Sequence, residues 1–562
     1  MSRVEDNHAN KPTVPSIHNG GEPFFGFRGE DLMATAGALA KEASANPTLL
    51  LEEQAGLVRD VIRVLAGQSE LRPAPKDKRF SDVTWRENPF YRVFLGGYLA
   101  WTKSLHELIE KSSFDRLTKE RARFIADLIT SAVAPSNFLA NPEALKRAID
   151  TGGTSVVYGL RNMMSDLFGN YGMPSQIDKS AFEVGKSLAI TEGSVVFRNE
   201  VLELIQYAPQ TKQVYTTPLL IVPPQINKFY IFDLAPEDSL VDYLVEGGIT
   251  LFTISWRNPT AANRDWGMDA YVAAIIEAMA AVREICHVDK INIAGACAGA
   301  LTVSALLGYY AAGSDATPVN CATHLVSVLD IGTDSMIGMF VTKDILKTAK
   351  ATSAFRGVLE GADMGRIFAW LRPNDLVWNY WVNNYLLGKD PPAFDMLYWN
   401  ADTTRLPAKF HADLLDIYAE SKLLHPGEMV VLGRPVDIGQ IAGDSYFVAG
   451  ITDHIAQWKD VYRNMLALRG ERTFVLSAAG HIQSIVNPPA AAARRQFLIN
   501  PDHPENPAAW LQGATPQPGS WWNHWLEWLR HRSGDQIDAA SQLGSARNPP
   551  IAKAPGTYVL AK

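Results

Sequence analysis

The sequence predicts an α/β fold: a mostly parallel sheet covered by helices on both faces, preceded by a helical N-terminal region. Three observations carry this. Short apolar runs alternate with helical stretches after about residue 183. One of them, at 291–294, enters a Gly-flanked turn followed by a helix of small residues. Residues 31 to about 170, in contrast, place Leu, Ala and Trp at helical spacing with few strand signals.

The elements follow in order. Residues 1–22 are polar and read as disordered, and 23–185 as a helical domain. Within that domain lies the aromatic-rich stretch 80–91, either a core stripe or a docking surface. Residues 186–562 read as the sheet-containing domain. Its expected strands are 219–222, 250–255, 291–294, 325–329, 446–449 and 473–476, with an Ala-rich helix from 269 to about 286. Residues 331 to about 440 break the rhythm and are rich in Trp, Tyr, Asn and Pro, as expected of a lid inserted at the carboxyl ends of the strands. The stretch 521–528 carries four tryptophans at helical spacing.

Composition narrows the function classes. The chain has 562 residues, 47% hydrophobic and 20% charged, with a net charge of −8. This is a globular composition, and the acidic balance argues against nucleic acid as the main partner. Three cysteines, Cys286, Cys297 and Cys321, indicate a reducing compartment rather than a disulfide framework. Cys286 and Cys321 lie in apolar surroundings and read as core thiols. The first 19 residues have no apolar core of a signal peptide, and no run of 18 apolar residues could span a membrane, so a cytoplasmic protein is expected.

The chemistry centres on Lys290-Ile-Asn-Ile-Ala-Gly-Ala-Cys-Ala-Gly-Ala300. This is the nucleophile-elbow pattern G-x-S-x-G of α/β-hydrolases with cysteine as the nucleophile. Gly295 and Gly299 fit where side chains would clash, and the following helix points its N-terminus at the Cys297 sulfur. A thiol nucleophile suggests acyl transfer through a thioester. Such a thiol needs a base and a group that orients the base, in the chain order nucleophile, acid, histidine. Asp453 follows the expected strand 446–449 and His481 follows 473–476, so Cys297, Asp453 and His481 form the expected triad. Asp453 could also be a turn residue and His481 a surface histidine, but three residues in order at strand ends favour catalysis. His454 is a weaker, supporting candidate. The oxyanion hole is assigned to the N–H groups of Ala298 and of Ile226, the latter in Val222-Pro-Pro-Gln-Ile-Asn-Lys228, whose prolines stiffen the loop without donating.

Several motifs together resemble polyhydroxyalkanoate synthases. They are Pro223-Pro-Gln-Ile-Asn-Lys-Phe-Tyr230, Ser255-Trp-Arg-Asn-Pro259, Gly295-Ala-Cys-Ala-Gly299, Tyr398-Trp-Asn400, Gly450-Ile-Thr-Asp-His454 and Gly480-His-Ile-Gln-Ser484. Arg79-Phe-Ser-Asp82 and the stretch 374–384 look most like the class II, medium-chain-length enzymes. The resemblance implies polymerisation of (R)-3-hydroxyacyl-CoA to polyester with release of CoA. It implies that Cys297 carries the acyl chain, that His481 deprotonates the thiol, and that Asp453 assists the 3-hydroxyl in elongation. It also matches Trp399 to a residue associated with dimerisation and activity. A homodimer, association with the polyester granule through the helical N-terminal region, and phasins as further partners follow from the same resemblance. No metal and no cofactor are expected, CoA being part of the substrate. Two departures stand out: Ala300 replaces the second glycine usual after the elbow, and Ala479 stands where class II enzymes often carry serine.

Two other readings compete. A cysteine-dependent thioesterase or polyester hydrolase would share the triad, and a granule scaffold would need none of it. Arg257 and Lys228 are candidates for the CoA phosphates, beside surface or structural roles.

Overall fold

Eleven strands among the described residues form one sheet, and its order is that of an α/β-hydrolase. The structure, a computed structural model, describes Gly37 and residues 46–562 except 76, 171, 315, 331–337, 339–342 and 491–494. The expectation for 1–22 therefore lies outside the described residues. Across the sheet the strands run Thr515–Pro518, Gln496–Ile499, Arg472–Ser477, Asp444–Gly450, Val319–Leu325, Ile291–Ala296, Leu219–Val222, Leu251–Trp256, Leu202–Tyr207, Gly193–Arg198 and Ala552–Lys553. The six from Arg472–Ser477 to Leu251–Trp256 are mutually parallel, and the outer ones on each side are antiparallel.

Both faces of the central strands are covered, which is why these strands read as continuous apolar runs. Leu220 and Val222 point into one core, with Ile275, Val282, Leu301 and Phe410. Leu219 and Ile221 point into the other, with Phe229, Leu244, Trp521 and Trp525. The first core is roofed by helices Met268–Cys286 and Ala298–Ala311, the second by Leu240–Glu246 and Trp521–Arg530.

One strand departs from expectation. The run 325–329 was expected to pair, yet the strand is Val319–Leu325 and the chain leaves it at Val326, where φ is +44°. Its apolar residues are there for burial at the strand's carboxyl end: Val326, Val328 and Leu329 are all buried beside the elbow. Cys321 lies inside this strand.

The N-terminal region is helical, with Pro47–Leu65, Pro89–Lys111, Arg116–Ala132, Pro142–Asp150 and Thr154–Gly169 as its long elements. Asn88, Asp115 and Asn141 each cap the following helix with a side-chain oxygen. The aromatic stretch 80–91 and the helix after it bury some rings and leave others exposed. Phe80 and Trp85 are buried edge to face, whereas Phe90 and Phe94 are 68% and 43% exposed.

The insertion between strands Val319–Leu325 and Asp444–Gly450 holds helices Lys343–Arg356, Gly361–Leu371, Asp395–Ala401 and Ala408–Glu420. It also holds two π-helical turns, Asn374–Trp378 and Trp381–Leu386. Helix Thr154–Gly169 docks on the second of these turns. Asn162 Nδ2 donates to the carbonyls of Asn384 and Lys389, and the Tyr385 hydroxyl donates to Asp166 at 2.8 Å. Asn384 Nδ2, Gln176 Nε2 and Arg147 Nε add bonds to the carbonyls of Ser175, Leu376 and Leu387.

Candidate active site

The elbow is built as its glycines suggest. Strand Ile291–Ala296 ends at Cys297, whose φ of +48° and ψ of −123° precede helix Ala298–Ala311. A non-glycine residue in this region costs on the order of 1–3 kcal/mol and persists only where its surroundings hold it. Here the Cys297 N–H donates to the Leu325 carbonyl at 2.9 Å. Its carbonyl accepts from Ser327 Oγ at 2.8 Å and from the N–H groups of Ala300 and Leu301. A Cβ on Gly295 would meet the backbone of Ala300, and one on Gly299 the carbonyls of Val222 and Pro223. Ala300 itself is fully buried.

Asp453 and His481 arrive on neighbouring strands. Strand Asp444–Gly450 leads into a turn closed by the Asp453 N–H on the Gly450 carbonyl. Asp453 Oδ1 accepts from the N–H groups of Ile455 and Ala456 at 2.8 and 2.9 Å, and Oδ2 is 2.7 Å from His481 Nδ1. One oxygen therefore fixes the turn while the other orients the imidazole. His481 opens the short helix His481–Ile485, and the Thr452 N–H bonds the Ala479 carbonyl, tying the two loops together. The Trp521 and Trp522 indoles hold the far end of that helix by donating to the Ser484 and Ile485 carbonyls. The tryptophans of 521–528 are thus structural and buried.

The electrostatics follow from burial and proximity. Both side chains are nearly inaccessible, at 6% for His481 and 0% for Asp453. Burial alone would lower the His481 pKa. The Asp453 carboxylate and the hydrogen-bonding Cys297 sulfur outweigh it and raise it to about 10. The imidazole thus bridges carboxylate and thiol, and Cys297 retains partial access to solvent.

His454 takes no part in this line. Burial pushes its pKa down to about 4, and its Nδ1 is buried with no hydrogen-bond partner among the described residues. Its charged neighbours include Asp453, Arg372, His481 and Asp375, so it lies between the Asp453–His481 pair and the 331–440 insertion.

The 223–228 loop is pinned from several directions. Gln225 Nε2 donates to Thr302 on the elbow helix at 3.0 Å. Thr404 Oγ1 accepts from the Asn227 N–H and donates to the Gln225 carbonyl. The prolines have no N–H and that of Asn227 is spent, which leaves Gln225, Ile226 and Lys228 as backbone donors. None of these, nor the Ala298 N–H, finds a backbone or side-chain acceptor among the described residues.

Trp399 is 3% exposed, and its indole donates to the Lys228 carbonyl at 2.6 Å. In this chain it supports the loop from within. Lys228 does not present its charge to solvent as a phosphate contact requires. Its Nζ lies 2.5 and 3.2 Å from the carbonyls of Val559 and Ala561 and 3.0 Å from Asp402. Arg257 is exposed and lies over the Tyr558 ring.

Tyr418 lies near Cys297 and was not singled out from sequence. It lies on lid helix Ala408–Glu420, and burial together with the nearby Cys297 pushes its phenol up from the usual range. Helical spacing from His411 and Leu414 marks it as inward-facing, but spacing could not say that the inward face lies near Cys297.

The chain is similar in sequence to known proteins. Residues 76–244 match the family described as "Poly-beta-hydroxybutyrate polymerase (PhaC) N-terminus", and 218–488 match the "alpha/beta hydrolase fold" family. The chain is 48% identical over 552 residues, 98% of both chains, to poly(3-hydroxyalkanoate) polymerase 2 of Ectopseudomonas oleovorans. It is 47% identical to polymerase 1 of that organism, over 96% of both chains. It is 42% identical to the poly(3-hydroxyalkanoate) polymerase subunit PhaC of Cupriavidus necator, over 88% of this chain and 85% of that one.

Proposed function

Because this chain belongs to the poly(3-hydroxyalkanoate) polymerases, with the class II type as its best fit, and is an acyltransferase-type enzyme, we propose that it builds polyester from (R)-3-hydroxyacyl-CoA through a covalent thioester on Cys297. The observation that carries the covalent route is the line from Asp453 through His481 to the strained Cys297.

In this reading His481 takes the Cys297 proton, and its raised pKa favours holding it. The thiolate attacks the acyl carbonyl, and the developing oxyanion is met by the N–H groups of Ala298 and Ile226. The tetrahedral species collapses with loss of the CoA thiolate, which takes the proton from His481 and leaves as CoA. The 3-hydroxyl of a further monomer then attacks the thioester. His481, oriented by Asp453, accepts the hydroxyl proton, an ester bond forms and the sulfur is freed as the thiolate. The extended chain is then a CoA thioester; the freed Cys297 thiolate attacks it and re-forms the enzyme thioester, and the expelled CoA thiolate takes the proton from His481, so each addition consumes one monomer thioester and releases one CoA. The step is redox-neutral acyl transfer, so thiol, imidazole and carboxylate supply all its chemistry without a metal or cofactor. Thiolate is a good leaving group as well as a good nucleophile, which suits repeated transfer.

We further propose that the enzyme works as a homodimer at the surface of cytoplasmic polyester granules, in company with phasins. The exposed apolar residues Ile149, Val157 and Phe168, at 80%, 68% and 80%, favour an apolar surface as a partner of the N-terminal region. No helix among the described residues is long and apolar enough to cross a membrane.

The test incubates the protein with (R)-3-hydroxyoctanoyl-CoA and (R)-3-hydroxybutyryl-CoA, follows thiol release and analyses the product. CoA release with insoluble polyester, lost in Cys297→Ala, is the expected result. CoA release with only free hydroxy acid would instead identify a thioesterase.

A further inference from the structure

The 556–561 segment, near the carboxyl end of the chain, runs back to the active-site loop and is anchored twice. The first anchor is Glu203, fully buried on strand Leu202–Tyr207. Its carboxylate accepts from the N–H groups of Thr557 and Tyr558 at 2.9 and 2.8 Å and from the Thr557 hydroxyl at 2.8 Å. The Tyr558 hydroxyl donates to the Asn199 carbonyl, and Arg198 and Arg257 lie over its ring. The second anchor is Lys228, whose ammonium has three donors and three oxygens around it: the carbonyls of Val559 and Ala561 and the carboxylate of Asp402. Asp402 in turn accepts from the Tyr230 hydroxyl at 2.9 Å.

Lys228 is the last residue of the 223–228 loop, two positions from Ile226. A buried ammonium is costly unless fully paired, so the loop keeps this conformation only while those three oxygens are in place. An oxyanion donor is effective only when held in advance at the right distance.

We propose that Lys228 is a positioning residue, and that segment 559–561 sets the oxyanion donor of the 223–228 loop by binding its ammonium. This rests on the covalent reading of Cys297. The segment is then part of the acylation machinery without touching substrate.

Two variants test it: Lys228→Met, and a deletion of 559–562 that leaves the contacts of Thr557 and Tyr558 with Glu203 in place. Single-turnover acylation of Cys297 by (R)-3-hydroxyoctanoyl-CoA is measured beside alkylation of Cys297 by iodoacetamide, which forms no oxyanion. Acylation should slow by about tenfold or more in each variant, short of the roughly 10²–10³-fold cost of deleting a donor outright. Alkylation should keep its rate, and the double variant should lose no more than either alone. Equal slowing of acylation and alkylation, or additive losses, would overturn the proposal as a merely structural effect. If Lys228→Met fails to fold, the deletion carries the test. Acylation at the wild-type rate in a folded variant overturns the inference alone, whereas CoA release by Cys297→Ala overturns the covalent reading and the inference with it.

Discussion

Gly159 of the N-terminal domain lies directly against the backbone carbonyl of Tyr385 in the lid, with no room for a Cβ between them. Gly388 makes the reciprocal contact with the Ser155 carbonyl. The insertion is therefore held by helix Thr154–Gly169.

Gly159→Val should undo this docking. Overpacking costs about 1–3 kcal/mol, and a backbone carbonyl cannot rotate away as a side chain can. Hydrogen exchange should rise in 154–169 and 381–389 and stay unchanged in strand Ile291–Ala296. Uniform exchange across all three would mean the two regions do not separate.

Asp453→Asn should lower kcat by on the order of 10³–10⁴ while leaving the fold intact, because an amide no longer selects the imidazole orientation. Steady-state thiol release and circular dichroism check the two halves. A loss below about tenfold would show that Asp453 mainly closes its turn through Ile455 and Ala456.

Gly299→Ala should destabilise the catalytic domain by about 3 kcal/mol or more, because the added methyl meets the Val222 and Pro223 carbonyls. The urea midpoint measures it. A shift equivalent to less than about 1 kcal/mol would show that the elbow can open without cost.

The pH dependence has two windows of opposite sign. His481 is raised from 6.5 to about 10, so between these values the folded state binds more protons and stability falls as pH rises. Urea unfolding should show this slope in the wild type, and Asp453→Asn should flatten it. His324, His411 and His454 are each lowered to about 4 by burial, so the unfolded state binds more protons between pH 4 and 6.5. Stability from these groups is present above 6.5 and lost toward pH 4. Replacing His324, stacked on Phe447 at 4.5 Å, with Phe should reduce that acid slope by one group's worth. An unchanged slope would place His324 outside the acid transition.

The sequence by itself determined the α/β-hydrolase sheet, the elbow and the order Cys297, Asp453, His481. It could do so because these are local: apolar runs, glycines where Cβ atoms collide, and polar residues just after strands. Tertiary structure alone decided the rest. Tyr418 shares a helical face with His411 and Leu414, but only the fold brings that face near Cys297. The tryptophans of 521–528 show only helical spacing in the sequence, and the fold buries them, with the Trp521 and Trp522 indoles donating to carbonyls of the His481 helix 37 residues away in sequence. Lys228 looked available for phosphate and is buried, because its partners, Val559 and Ala561, lie 331 and 333 residues further on. Charge and apolarity are written in the residue, but which distant group satisfies them is fixed only when the chain closes on itself.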